Sequence, residues 1–224
     1  MLKSKLNILG IISFLAILGF FLVEKFQIDL LVSGSIHEHY GWRKGKEAFW
    51  FFLYEWGPIP SILAGLGCLL FWLYKLATKE GKNINSALLL FPFMTLVVGP
   101  GILVNILGKE LWGRPRPANC IEMGGLNSYQ SVLTVNPLSP HKSFPSGHAA
   151  TGFHLCTLSI LFRKKWRSAS LCIFLIWGTL ISIARILQGG HFVSDIIGSI
   201  VIVILTSIAL YPRKYLNPNS ENSP

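Results

Sequence analysis

The stretch Arg185-Ile-Leu-Gln-Gly-Gly-His191-Phe-Val-Ser-Asp195 joins the last two long apolar runs of the chain. It places a cation, an imidazole and a carboxylate beside hydrocarbon. Holding such a group there costs free energy, so each is expected to have a partner or a function. If the last helix begins near Gly190, the imidazole and the carboxylate share one face, so the carboxylate can hold one ring nitrogen and leave the other free to attack. The stretch predicts an anion site at the lip of a membrane-embedded fold, although a snorkelling arginine beside an ordinary helix start would explain the same residues.

The composition indicates an integral membrane protein. Mean hydropathy is +0.52, and 13% of the 224 residues are charged, against about a quarter in soluble domains. The net charge of +10 comes from short basic clusters between apolar runs. We therefore expect no nucleic-acid partner and interpret the cations as topology signals and anion ligands.

Six apolar runs predict the architecture. They cover residues 6–23, 58–77, 87–107, 148–162, 169–183 and 196–211. Two prolines and two glycines in the third run predict a kink or a close helix contact there. The fourth run is short for a span unless the Pro-Ser-Gly-His sequence at its start is itself sunk in the protein. We predict an all-α integral membrane protein, a six-transmembrane-helix bundle with a single membrane-embedded domain over residues 1–216 and a polar tail at 217–224.

Basic clusters in the short loops predict the orientation. With the N-terminus inside, the inner segments hold many lysines and arginines and almost no acid. The outer segments also hold cations, among them those of the long polar loop at 109–144. The excess of positive charge on the inner side therefore supports this orientation only if the outer cations bind an anion. On this interpretation both termini lie in the cytoplasm and the polar segments meet at the opposite face.

Two further polar segments fall on that outer face. Lys109-Glu-Leu-Trp-Gly-Arg114-Pro-Arg116-Pro117 offers a point charge and a guanidinium stiffened by prolines, both suited to phosphate oxygens. Phe144-Pro145-Ser146-Gly147-His148 opens an apolar helix, where free N–H groups, the helix dipole and a serine hydroxyl form an anion pocket beside a titratable imidazole. Each segment alone also fits an interfacial belt or an ordinary helix cap, but the three segments together indicate a phosphate site.

In residue type, order and spacing the three segments resemble the type 2 phosphatidic acid phosphatase superfamily. Its pattern is Lys-x6-Arg-Pro, then Pro-Ser-Gly-His, then Ser-Arg-x5-His-x3-Asp. The one departure is Ala184, where the family usually has serine, and this removes one possible hydroxyl contact. The resemblance extends from the second helix onward and implies a lipid phosphatase that needs no cofactor and no metal, because fixed cations take the metal's place.

The resemblance also implies the roles of the matching residues. His191 attacks phosphorus and forms a phosphohistidine, Asp195 holds its tautomer, and His148 protonates the leaving oxygen and then activates water. Five groups would carry the charge of the phosphate oxygens: Lys109, Arg116, Arg185, Ser146 and the N–H of Gly147. Three residues beside the motifs would contact a second charged group of the substrate or lie solvated in the loop: Arg114, His141 and Lys142.

An aromatic segment ahead of the second run is interpreted as a lid over this site or as an interfacial belt. Its residues are His37, His39, Tyr40, Trp42, Phe49 and Trp50. Both interpretations place the segment at the outer face.

The sequences around the motifs look most like the bacterial lipid A phosphatases. They are Pro100-Gly-Ile-Leu-Val-Asn105, Trp112-Gly-Arg-Pro-Arg-Pro117 and Gln188-Gly-Gly-His-Phe192. This resemblance implies the 1- or 4'-phosphate of lipid A as substrate, with its tails in the bilayer, at the periplasmic face of the bacterial inner membrane. Phosphatases of undecaprenyl diphosphate and phosphatidylglycerophosphate share the motifs and remain alternatives, as do a lipid phosphotransferase and a non-enzymatic anion transporter or scaffold.

Overall fold

The computed structural model describes residues 2–78 and 86–212, without the side chains of residues 2–4 and 86. The polar tail predicted at 217–224 and the basic link after the second apolar run lie outside the described residues. The three polar segments of the predicted site lie wholly within them.

The described ranges form nine α-helices and no strand. The helices are α1 (Leu2–Lys25), α2 (Ile28–Tyr40), α3 (Ala48–Trp56), α4 (Ile59–Ala77), α5 (Ser86–Leu96), α6 (Lys109–Trp112), α7 (Gly147–His154), α8 (Lys164–Leu187) and α9 (Val193–Leu210). A π-helical stretch, Val97–Gly108, joins α5 to α6, and a 3₁₀ stretch, Leu155–Leu161, prolongs α7. Three short 3₁₀ turns complete the helical part: Lys44–Lys46, Pro117–Asn119 and Ile121–Met123. The predicted all-α class is confirmed.

Five segments of the described residues are long and apolar enough to cross a membrane. They are Lys5–Lys25, Ala48–Ala77, Ala87–Asn119, Lys164–Leu187 and Val193–Leu210. Each contains one of the predicted apolar runs or most of it. The structure therefore agrees with an all-α membrane protein.

The predicted run at 148–162 does not form a sixth helix of this kind. α7 has eight residues and its 3₁₀ stretch adds seven, too few for a continuous transmembrane α-helix of about 20 residues. Every residue of α7 except His148 is buried. The segment thus lies inside the bundle, with its Pro-Ser-Gly-His start sunk in the protein.

Small residues let α7 and α8 pack at backbone contact. A methyl group on Gly152 would lie 3.1 Å from the Cα of Gly178, and one on Gly178 would lie 2.7 Å from the Phe153 ring. Helices in membranes associate through such close approaches, because lipid tails are as apolar as leucine. The contact fixes the C-terminal end of α8, which carries Arg185, beside the start of α7.

The π-helical stretch brings the Lys109 segment to the same place. Pro100 has no N–H to donate within the helix, and the side chain of Asn105 donates to its carbonyl oxygen at 2.8 Å. A methyl group on Gly108 would lie 2.5 Å from Pro145, and one on Gly147 would lie 2.5 Å from the Asn105 side chain. The third run thus contacts the start of α7 through Asn105, whereas Gly99 within the run faces Thr206 of α9.

A buried histidine ties α7 to two other helices. His154 is fully buried, its Nε2 donates to the carbonyl oxygen of Pro92 at 2.8 Å, and Ser61 Oγ lies 2.7 Å from Nδ1. Because the carbonyl can only accept, Nε2 carries the proton and Nδ1 accepts from the serine hydroxyl. α4, α5 and α7 are joined through this one ring.

We expect Ser61→Ala to destabilise the protein by about 1–3 kcal/mol, because it leaves a buried acceptor on His154 unpaired. The measurement is the thermal unfolding midpoint of the purified protein in detergent. Thr179→Ala is the matched control, since that hydroxyl is exposed and donates only to Leu175 of its own helix, at 2.8 Å. Equal midpoints in the two variants would contradict a structural role for the tie.

Candidate active site

His191 lies in the turn between α8 and α9. Gly189 adopts φ +63°, a left-handed conformation that glycine reaches without strain. A methyl group on Gly190 would lie 2.3 Å from a terminal nitrogen of Arg185. The two glycines thus allow the guanidinium to fold back over the turn.

The carboxylate of Asp195 faces this imidazole. Its Oδ2 lies 3.5 Å from Nδ1 of His191 and accepts hydrogen bonds from the Ser143 hydroxyl at 2.6 Å and the Phe192 N–H at 2.8 Å. α9 begins at Val193, later than predicted, and Asp195 folds back over its first turn. Nε2 is therefore the ring nitrogen that points away from the carboxylate.

The N-terminus of α7 adjoins the same turn. Ser146 caps the helix, accepting a 3.4 Å hydrogen bond from the N–H of Ala149. Its own N–H donates to the carbonyl oxygen of Asp195 at 3.3 Å, and its carbonyl accepts from the Ser199 hydroxyl at 2.8 Å. These contacts place the starts of α7 and α9 side by side, so the positive ends of two helix dipoles lie near His191.

Tyr54 on α3 contacts two of the predicted site residues. Its ring stacks on the imidazole of His148, with centroids 5.0 Å apart and an interplanar angle of 21°. The guanidinium carbon of Arg185 lies 4.6 Å from the same ring's centroid. Sequence reasoning missed Tyr54, because it belongs to an aromatic cluster whose composition is typical of an interfacial belt.

Three cations surround the turn without forming an ion pair in the described part of the chain. Arg185 is 6% exposed, its Nη1 donates to the side chain of Gln188, and its buried Nε has no partner among the described residues. Lys109 is half-buried and Arg116 is exposed. Unsatisfied donors and charges of one sign favour the binding of an anion.

His191 lies outside both flanking helices, and its surroundings lower its pKa below the ordinary value of 6.5. Burial is the main cause, since a charged ring is costly away from water. The carboxylate of Asp195 opposes this effect, and Arg185 and Arg116 add to it. The ring is therefore neutral at pH 7, the form in which it can act as a nucleophile.

Arg114 lies behind Asp195 rather than among these cations. Its side chain is fully buried and donates to Asp195 at 2.7 Å and to Asp29 at 2.8 Å. Arg116, two residues further along the chain, is exposed instead. These two buried ion pairs hold Arg114 inward, away from the position in which it would contact a second charged group of a substrate.

His141 and Lys142 have partners in the outer loop. Nε2 of His141 lies 3.0 Å from the side-chain oxygen of Asn127. Lys142 pairs with Glu110, and both side chains are exposed. These contacts hold the two residues at the loop surface.

The aromatic segment at residues 37–50 covers the turn that carries His191. A methyl group on Gly189 would lie 2.7 Å from the Trp42 ring, and Gln188 donates to the carbonyl oxygen of Gly45 at 3.0 Å. Trp42 also packs on the buried cluster Cys120, Met123 and Phe192. Of the six residues interpreted as a lid, Trp42 is the one that lies directly over the turn.

The fold and the site define a class: helical membrane proteins in which two imidazoles, three cations and a helix N-terminus meet at one end of the bundle. Within the described ranges, no group of three His, Cys, Asp or Glu residues is placed to hold a metal ion. The chain belongs to the PAP2 superfamily, whose profile matches residues 87–217. That range contains all three polar segments, whereas Asp29, Trp42 and Tyr54 precede it.

Curated relatives of the chain are bacterial enzymes. A lipid A 4'-phosphatase of Francisella tularensis subsp. novicida is 27% identical over 214 residues, 93% of this chain and 95% of the relative. One of Rhizobium leguminosarum is 32% identical over 131 residues, 57% of this chain and 56% of the relative. The undecaprenyl-diphosphatase BcrC of Bacillus subtilis is 30% identical over 111 residues, 50% of this chain and 51% of the relative. No solved structure matches the chain.

We expect Tyr54→Ala to lower kcat/KM for phosphate release from a lipid phosphate about tenfold, because a partly buried contact between a cation and an aromatic ring contributes about 1–2 kcal/mol. Tyr54→Phe keeps the ring and should retain wild-type activity. Tyr40→Ala is the control, since Tyr40 is exposed and its ring meets only His39 in the described residues. Equal loss in the Phe and Ala variants would show that the hydroxyl, not the stacking, matters.

The lowered pKa of His191 predicts the acid side of the pH profile. A histidine with a lowered pKa stays neutral down to a lower pH than a free histidine does. We therefore expect kcat/KM to decline only below about pH 6.5. The measurement is initial phosphate release between about pH 4 and 9. Loss of activity that begins above pH 7 on acidification would contradict a neutral, buried nucleophile.

Proposed function

We propose that the chain is a lipid A phosphatase that removes the 4'-phosphate through a phosphohistidine on His191. The enzyme class follows from the family, and the substrate is the proposal. The observation that carries it is the extent of the match to the Francisella enzyme, which covers nearly all of both chains. That match includes the N-terminal part, which lies outside the family profile and supplies Tyr54 and Trp42 to the site.

The first chemical step uses the nitrogen that faces away from Asp195. The lone pair of His191 Nε2 attacks phosphorus, the bond from phosphorus to the sugar oxygen breaks, and His148 gives its proton to that oxygen. In the second step His148 takes a proton from water, the resulting nucleophile attacks phosphorus, and His191 leaves. The products are inorganic phosphate and a lipid with a free hydroxyl.

Charge on the transferring group is met by donors that are already in place. Lys109, Arg116 and Arg185 supply the positive charge, and the hydroxyl of Ser146 and the N–H of Gly147 supply hydrogen bonds at the start of α7. Fixed donors cost no reorganisation when the charge develops, so each well-placed one contributes about 3 kcal/mol to the rate. The Ala184 variation leaves all five in place.

We further propose six membrane crossings, with both termini in the cytoplasm and the site at the periplasmic face of the inner membrane. α8 has 24 residues, about 36 Å in length, and ends at the site with Arg185. The chain leaves the same site at Gly147, so α7 and its 3₁₀ stretch, about 26 Å together, run from the site to the far end of α8. The basic residues at 163–167 then lie on the cytoplasmic side, as the positive-inside rule favours.

The proposal is tested by phosphate release from lipid A, undecaprenyl diphosphate and phosphatidylglycerophosphate by the purified protein in detergent with a metal chelator. We expect preference for lipid A and loss of turnover in His191→Ala, about 10³-fold or more. His148→Ala should slow the release of poor leaving groups most, because it removes the proton donor. His39→Ala is the matched control, an exposed histidine outside the site.

The similarity to BcrC supports undecaprenyl diphosphate as the second candidate substrate. Better turnover of that lipid would keep the chemistry and overturn the lipid A assignment. Full activity in His191→Ala would overturn the phosphohistidine. Phosphate that appears on a lipid hydroxyl instead of in solution would identify a transferase.

A further inference from the structure

We propose that Asp29, through Arg114, sets the charge that stabilises the catalytic imidazole of His191. The inference rests on the proposed function in taking His191 as the nucleophile. Asp29 touches neither substrate nor reacting atoms, so it would be a positioning residue. It lies in α2, ahead of the residues that the family profile matches.

Asp29 is buried at the start of α2, and each of its oxygens is used. Oδ1 accepts from the Ser194 N–H at 2.9 Å. Oδ2 accepts from Nη2 of Arg114 at 2.8 Å and from the hydroxyl of Ser194. These three donors offset the cost of burying a carboxylate away from water.

Arg114 connects this carboxylate to the one beside His191. Its Nη1 donates to Oδ1 of Asp195 at 2.7 Å, and its Nε donates to the carbonyl oxygen of Gln130 at 2.8 Å. The guanidinium carbon lies 4.3 Å from the centroid of the Phe192 ring. The guanidinium is thus held on all sides, with one carboxylate on each of its terminal nitrogens.

The charges of this buried triad, defined as Asp29, Arg114 and Asp195, do not cancel. Two carboxylates and one guanidinium leave one net negative charge. Without Asp29, the charge of Arg114 would oppose that of Asp195 and weaken the stabilisation of a cation on the imidazole. Asp29 therefore offsets the positive charge of Arg114, which would otherwise weaken the effect of Asp195 on the imidazole.

The imidazole needs that charge during the reaction. With its proton on Nδ1, facing Asp195, the ring becomes a cation when Nε2 bonds to phosphorus. The other charged or titratable groups that face it oppose this: Arg185 on α8, Arg116 after α6 and His148 on α7. Asp195 on α9, backed by Asp29, is the group of opposite sign.

Stability alone gives a weak account of the triad. Buried ion pairs often contribute no more than apolar side chains of the same volume, because desolvation offsets the attraction. A chain that used Arg114 only to hold the loop would need no second carboxylate next to a catalytic one. The electrostatic field of the triad at His191 accounts for the arrangement.

The test compares Asp29→Asn, which is isosteric and neutral, with the wild type. The pKa of His191 is read by NMR on protein labelled with ¹⁵N-histidine, with the signal assigned by its loss in His191→Asn. A unit charge about 10 Å away shifts a pKa by about one unit at an effective dielectric constant of about 20. We expect the pKa of His191 to fall by about one unit, the acid limb of kcat/KM to move down equally, and kcat to fall about tenfold while KM changes less than about twofold.

Glu24→Gln is the charge-matched control. Glu24 accepts from the hydroxyl of Tyr129 at 3.1 Å, and that hydroxyl in turn accepts from Arg114 at 3.2 Å. The same charge is removed one hydrogen bond further away, so the shift should be smaller than in Asp29→Asn. Asp29→Glu retains the charge and should restore the wild-type pKa, and Asp29→Ser gives a second neutral variant if Asp29→Asn does not fold.

An unchanged pKa of His191 in the neutral variants would overturn the inference, as would activity that falls with an unshifted pH profile. Equal shifts in Asp29→Asn and Glu24→Gln would overturn it as well. Because the NMR pKa does not depend on turnover, a wild-type protein that hydrolyses none of the three lipids would refute the proposed function and leave this measurement valid.

Discussion

The site depends on a buried carboxylate, that of Asp195, being held in its charged form. One of its oxygens accepts from Arg114, and the other accepts from Ser143 and the Phe192 N–H while facing His191. A buried carboxylate without such donors would take up a proton, and the imidazole would then lose the partner that fixes its tautomer. Each element that supplies a donor is thereby fixed in position relative to His191.

The sequence could predict what depends on local pattern. The long apolar runs and the motif spacing predicted the all-α class and the residues that meet at the turn after α8. The length of α7 could not be predicted in this way, because its helix tightens after His154, a residue held by partners on two other helices. The direction of Arg114 was equally hidden, since its partner Asp29 lies 85 residues away. Tyr54 carried no signal that separates it from a membrane-interface aromatic.

The N-terminal part of the chain contributes more to the site than the motifs suggest. Asp29, Trp42 and Tyr54 precede the residues matched by the family profile, yet they contact a carboxylate partner, the glycine turn and two motif residues. Proteins that share the three motifs therefore need not share the surroundings of those motifs. The residues that surround the turn with His191 come from both parts of the chain.

The buried triad also imposes an order on how the chain assembles in the bilayer. Asp29 is synthesised 85 residues before Arg114, and Asp195 follows 81 residues after it. Each charged residue enters the membrane on a separate segment. Burying any of them in hydrocarbon costs free energy until its partner of opposite charge is in place. Until the last helix inserts, the ends of these segments that carry the charges are most stable at the aqueous interface. The site can therefore close only after α9, the helix that carries Asp195, has inserted.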